Sequence, residues 1–260
     1  VHLRSTFEQS VDEGIVRTRR SWPDLLATGL VGGMDVTIGV LALLVVQHET
    51  GSLILGALAF SIGFLALTLG RSELFTENFL VPIAAFVAGK ATVSSVLRLW
   101  IGTLVMNLVG GWMVSWLIVW GLPHLHGSAV ELGAHYAGLD TGQLAALGVI
   151  GGALITLMTW MVHGANDFGR IMAVVSVAFL LAAGHLNHVI VASIEMFVGL
   201  HTGDATYGYG EIARVAGIAT VTNMVGGLLL VTAMRLIQVG GHEIEEERHR
   251  PDPHPEERPD

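Results

Sequence analysis

Six apolar stretches, at 25–46, 52–87, 92–120, 142–162, 171–200 and 212–237, restrict this chain more than any other feature. A helix of about 20 residues, rising ~1.5 Å per residue, crosses a hydrocarbon core of about 30 Å. Segments of this length keep their backbone groups bonded in lipid only as helices, so the fold class expected is an all-α membrane protein with six transmembrane helices. Composition agrees: 52% of residues are hydrophobic and 13% charged, against about 25% charged in soluble domains. The 33 glycines, among them Gly29, Gly32, Gly33, Gly148, Gly151 and Gly152, permit close helix packing.

The apolar stretches divide the chain into a cytoplasmic segment 1–24, a six-span domain 25–238 and a tail 239–260. In the first segment Val11, Ile15 and Trp22 sit among charges, which predicts an amphipathic helix lying in the membrane surface. The tail is acidic and Pro-rich without periodicity and is expected to be disordered and cytoplasmic. With both termini inside, the inner segments hold Arg4, Arg17, Arg19, Arg20, Lys90, Arg98, Arg170, Arg235, Arg248, Arg250 and Arg258. The outer loops 47–51, 122–142 and 201–211 hold no lysine or arginine, the distribution expected of a bacterial inner-membrane protein with an even number of spans.

Two features suggest an inverted repeat. Asn107-Leu-Val-Gly110-Gly111 in the third span recurs as Asn223-Met-Val-Gly226-Gly227 in the sixth. The second and fifth spans are each broken by polar residues, at Arg71-Ser-Glu-Leu-Phe-Thr-Glu-Asn78 and at Gly184-His-Leu-Asn-His188. Polar side chains at membrane depth are costly unless they pair or line a cavity. The first break is therefore expected to place Leu74, Phe75 and Thr76 at a lumen and to tie Glu73, Glu77 and Arg71 into ion pairs. In the second, an imidazole can bond an anion or pass a proton, while apolar surroundings favour the neutral acid over the bare ion.

Other chemistries find little support. Without cysteine there are no thiolates or disulfides; no phosphate-binding loop and no basic nucleic-acid face occur. His124, His126, Glu131 and His135 form at most a weak zinc set, and no metal or cofactor is expected.

At these residues the chain resembles the formate/nitrite transporter family. Glu73-Leu-Phe-Thr-Glu-Asn78 is similar to the family's Leu-Phe-Thr-x-Asn loop, and Gly184-His-Leu-Asn-His188 is similar to its Gly-Phe-Glu-His element, which makes His188 the central pore histidine. Asn107-x-x-Gly110 and Asn223-x-x-Gly226 match its paired span signatures, and Arg170 matches a basic position. The resemblance implies an aquaporin-like inverted repeat assembled as a homopentamer in the bilayer. Its cargo is a small monovalent anion such as formate, nitrite, acetate, lactate or hydrosulfide, with or without a proton. Thr76 would contact the ion, and Phe75, Phe60, Phe64 and Leu181 would narrow the lumen. Three departures stand out: Asn187 replaces the glutamate before the histidine, His135 or Tyr136 occupies an entrance lysine position, and Gly152 aligns with a pore asparagine. A neutral-solute channel for water, ammonia or hydrogen sulfide, and a closed scaffold or sensor, are the alternative functions.

Overall fold

The computed structural model describes residues 2–253, all helix and short connections. Among these residues five helices are long and apolar enough to cross a membrane: Trp22–Thr50, Leu53–Gly70, Val93–Gly121, Thr141–Gly164 and Tyr209–Val239. In chain order the helices are α1 (His2–Arg19), α2 (Trp22–Thr50), α3 (Leu53–Gly70), α4 (Val81–Val87), α5 (Val93–Gly121) and α6 (His126–Ala137). There follow α7 (Thr141–Gly164), α8 (Asp167–Ala183), α9 (Val189–His201), α10 (Tyr209–Val225), α11 (Met234–Val239) and α12 (Gly241–His249). A π-helical run, Gly226–Ala233, joins α10 to α11.

Local sequence sets the helix starts. Ser21, Ser52, Thr92, Asp140 and Asn166 each accept a backbone N–H of their first turn, satisfying donors that would otherwise be orphaned. Helix α3 packs between α2 and α8, and α7 packs against α10. Two contacts require glycine: a Cβ on Gly33 would lie 2.0 Å from the Asn107 carbonyl oxygen, and one on Gly226 would lie 2.0 Å from that of Val149.

Four expectations need correction. Helix α1 does not lie in the membrane surface: Phe7, Val11 and Ile15 are fully buried against Leu80, Ala84, Ala85 and Trp160, while Trp22 is exposed and opens α2. Its hydrophobic stripe meets protein, a choice that periodicity alone does not reveal. The connection 122–142, expected as a loop, contains helix α6. Tyr207, expected with Trp116, Trp120 and Tyr209 in an interfacial aromatic belt, is instead buried and donates to the Met196 carbonyl at 2.9 Å, while the other three are exposed.

The tail is the fourth. Over Gly241–His249 it is helical, and its charges find partners distant in sequence, on α1. Arg4 pairs with Glu246 at 2.8 Å and Glu243 at 3.2 Å, Arg19 pairs with Asp252 at 2.5 Å, and Arg250 pairs with Asp12. Lys90 donates to the carbonyls of Arg248 and Arg250. Residues 254–260 of the expected disordered tail lie outside the described residues. Exposed ion pairs stabilise little singly, so this clasp is expected to open locally. Arg250→Ala should speed tryptic cleavage at Arg248 about tenfold; an unchanged cleavage rate would exclude the clasp.

Candidate functional site

The two polar interruptions fold in parallel ways. After α3, Arg71 takes the left-handed conformation (φ 57°) and Ser72 N–H bonds back to the Leu67 carbonyl at 3.2 Å. After α8, His185 takes the same conformation (φ 44°) and Leu186 N–H bonds back to the Leu181 carbonyl at 3.1 Å. Left-handed backbone costs a non-glycine residue roughly 1–2 kcal/mol, so each turn must be held by bonds made further along its segment.

An asparagine from another helix supplies those bonds in each half. Asn107 accepts the Phe75 N–H at 2.9 Å and donates to the Gly29 and Glu73 carbonyls at 2.7 and 2.8 Å. Asn223 accepts the Val189 N–H at 2.9 Å and donates to the Gly148 and Asn187 carbonyls at 2.8 and 2.9 Å. Both asparagines are fully buried, and each supplies the backbone partners that a broken helix lacks. Trp100 and Thr232 add bonds to the carbonyls of Asn78 and Phe79, at 2.8 and 2.7 Å.

The interruptions meet at Thr76 and His188, whose Oγ1 and Nε2 lie 2.6 Å apart with both residues fully buried. The His188 Nδ1 accepts the Val191 N–H at 3.3 Å. In the neutral ring Nε2 therefore carries the proton and donates it to Thr76, which leaves the Thr76 hydroxyl proton as the free donor. Phe60, Phe64, Leu74, Phe75 and Leu181 are buried in the same apolar cluster. No solvent reaches Thr76 or His188.

A cavity of about 480 Å³ opens on the side of α1; it is lined by Glu13, Arg17, Arg20, Arg71, Glu77, His163 and Arg170, among others. The ion-pair network at the first break differs from expectation. Arg71 is exposed, and its place is taken by Arg17 and Arg20 from the α1 end. Arg17 lies 2.9 Å from Glu13, 3.1 Å from Glu73 and 3.5 Å from Glu77, and donates to Asn78 at 3.2 Å; Arg20 also pairs with Glu73. Burial disfavours the Arg17 charge, but Glu73, Glu13 and Glu77 outweigh it and hold the pKa above its usual value. Sequence spacing signals the Glu13–Arg17 pair, four residues apart on α1, but not the pairs with Glu73 and Glu77, because α1 reaches the break only through the fold.

Other residues settle elsewhere. Asn187 donates to the Leu144 carbonyl at 3.0 Å rather than to His188. Gly152 is not on a pore face: a Cβ there would lie 2.2 Å from the Asn223 carbonyl oxygen, so the position admits no asparagine. His135 faces His185, their ring centroids 4.5 Å apart. Among the described residues no group of three or more His, Cys, Asp or Glu side chains is placed to hold a metal ion.

The sequence profile described as formate/nitrite transporter matches residues 4–237. The chain belongs to the formate/nitrite transporter family. It is 27% identical over 250 residues to the inner membrane protein YfdC of Escherichia coli (strain K12), covering 92% of this chain and 77% of that protein. It is 26% identical over 238 residues to the formate channel BtFdhC of Bacillus thuringiensis, covering 77% and 90%. Among solved structures, an FNT family ion channel superposes with a TM-score of 0.81 at 17% identity, covering 88% of this chain and 96% of that one. A pentameric formate channel with formate bound gives a TM-score of 0.68 at 19% identity, covering 82% and 95%. These two likenesses establish the formate/nitrite transporter fold, and membership places the chain in a transport class, not an enzyme class.

Proposed function

We propose that this formate/nitrite transporter passes a small monovalent anion of the formate class, with or without a proton, across a bacterial inner membrane. The Thr76–His188 contact carries this reading. It joins the two interruptions at a fully buried polar point inside an apolar cluster, where a bare anion is disfavoured and a hydrogen-bonded or protonated one is tolerated. The free hydroxyl proton of Thr76 would meet the anion's oxygen, and Phe60, Phe64, Phe75, Leu74 and Leu181 would exclude hydrated ions on either side. Asn107, Asn223, Glu73, Asn78, Gly110 and Gly226 hold the two interruptions in place, and Arg170 draws anions toward the inner cavity. The names carried by relatives, an inner membrane protein and a formate channel, agree with this assignment.

The full architecture belongs to the same proposal: six passes over 25–238, broken at the second and fifth, related as an aquaporin-like inverted repeat with both termini inside. The matched bonding of Asn107 and Asn223, 116 positions apart, favours it, as does the outer surface free of lysine. A homopentamer is proposed by analogy with the pentameric channel.

The test is uptake of radiolabelled formate into liposomes. Thr76→Val keeps the shape of the side chain and removes its hydroxyl; it should slow saturable uptake about a hundredfold, since an unpaired buried polar contact is worth about 1–3 kcal/mol and the His188 donor is orphaned as well. His188→Ala should slow it comparably. Wild-type rates in both variants would remove the Thr76–His188 contact from the conduit, and no uptake by the wild-type protein would favour a scaffold; transport of ammonia or water in place of formate would favour a neutral-solute channel.

A further inference from the structure

We propose that a groove between α1, α7, α8 and α11 holds one anionic glycerophospholipid, with its phosphodiester on Arg235 and an acyl chain along α8. The inference requires only that α7 and the run Tyr209–Val239 cross a bilayer; it holds whether or not the conduit conducts.

The groove has a volume of about 630 Å³ and is bounded by Trp160 and Met161 of α7, Met172 and Ala173 of α8, Leu3 of α1 and Arg235 of α11, among others. Its position suits a lipid. Trp160 and Arg235 each lie four residues before the end of a membrane-crossing helix, the level at which aromatic and basic side chains meet headgroups. Helix α8 starts beside them at Asp167 and turns back into the apolar layer. From Gly169 to Ser176 its part of the groove is about 10 Å long, so the groove joins headgroup level to acyl-chain depth. Met172 and Ser176 are both exposed along it, and in a bilayer that face must be covered.

Charge selects the occupant. Arg235 is the one ionisable side chain lining the groove among the described residues. Basic side chains close by are already engaged: Arg4, Arg17, Arg19 and Arg250 pair with carboxylates. Arg235 meets no carboxylate among the described residues. It donates to the Gln238 Oε1 at 2.8 Å and lies over the Trp160 ring, 5.5 Å from its centroid. Stacking on the indole holds the guanidinium plane and leaves its remaining N–H edge open. A phosphodiester accepts two parallel N–H bonds from such an edge. A zwitterionic headgroup would add an ammonium, and no carboxylate lines the groove to receive it. The lipid favoured is therefore one with net negative charge, as in other basic pockets between membrane helices.

The experiment is native mass spectrometry of the full purified chain in detergent, after addition of phosphatidylglycerol and phosphatidylethanolamine of equal chain length in equal amounts. Wild type is expected to retain about one phosphatidylglycerol per chain and to prefer it about fivefold, the effect of one basic side chain at a membrane surface. Arg235→Gln keeps most of the side chain and should hold the two lipids equally. Arg248→Gln, on α12 and outside the groove, should leave the preference unchanged. Ala173→Phe should fill the groove and abolish retention. Equal retention of both lipids by the wild type would overturn the proposal, as would a preference that survives Arg235→Gln. An oligomer broken by Ala173→Phe, with phosphatidylglycerol still held by its protomers, would overturn it by assigning the groove to a neighbouring copy. Lipid binding is read without transport, so failure of the conduit leaves this result standing, and failure here leaves the conduit untouched.

Discussion

Asn223→Leu is expected to destabilise the protein by roughly 3–9 kcal/mol, because three buried backbone groups lose their partner at about 1–3 kcal/mol each. The side chain holds the Val189 N–H and the Gly148 and Asn187 carbonyls together, and the leucine replacing it is nearly isosteric but offers none of these bonds. Melting in detergent should register the loss, and formate uptake should fall even in the folded fraction because His188 adjoins the released turn. Asn223→Asp would keep the acceptor and lose the two donors, giving an intermediate effect. Asn107→Leu should match Asn223→Leu, since its three bonds are equivalent. A melting temperature unchanged in both variants would refute the role of asparagine as the clamp on each interruption.

Arg17→Leu carries the second large effect, about 3–5 kcal/mol, the usual result of removing one partner from a buried ionic group. Glu77 would lose its guanidinium, Glu73 would keep only Arg20, and Asn78 would lose a donor. Hydrogen exchange should rise across α1 and the segment 72–80 together, because one network ties them. Adding Glu77→Gln should recover part of the loss by removing the stranded charge. Exchange that rises in α1 alone would mean the network does not hold the first interruption.

Much of this architecture was legible in sequence because lipid imposes simple demands. Spans such as 92–120 and 142–162 agree with α5 and α7 to within two residues at each end, since apolar length decides them. The pairing of Asn107 with Asn223 could be read as well: asparagine beside glycine is conspicuous where every other side chain is apolar. What escaped were contacts that only the third dimension creates. Nothing local to Arg17 indicates that its partners are Glu73 and Glu77, and Arg71, adjacent in sequence, was the natural but mistaken choice. The tail misled for a similar reason. Its composition argues against a core of its own, yet α12 needs none, because α1 supplies the opposing charges. His135 and His185 likewise lie 50 positions apart, and no spacing rule relates them.

The clasp between the first helix and α12 also bears on how the molecule is made. During synthesis α1 emerges before α2 to α10 and before the tail residues that Arg4, Asp12 and Arg19 engage; the Arg250 that meets Asp12 is added 238 residues later. The cavity whose wall includes Arg17 and Arg20 therefore acquires its full set of contacts only after the whole bundle has formed. A nascent chain stalled within the bundle would present α1 unclasped, and a protease could distinguish it from a finished chain.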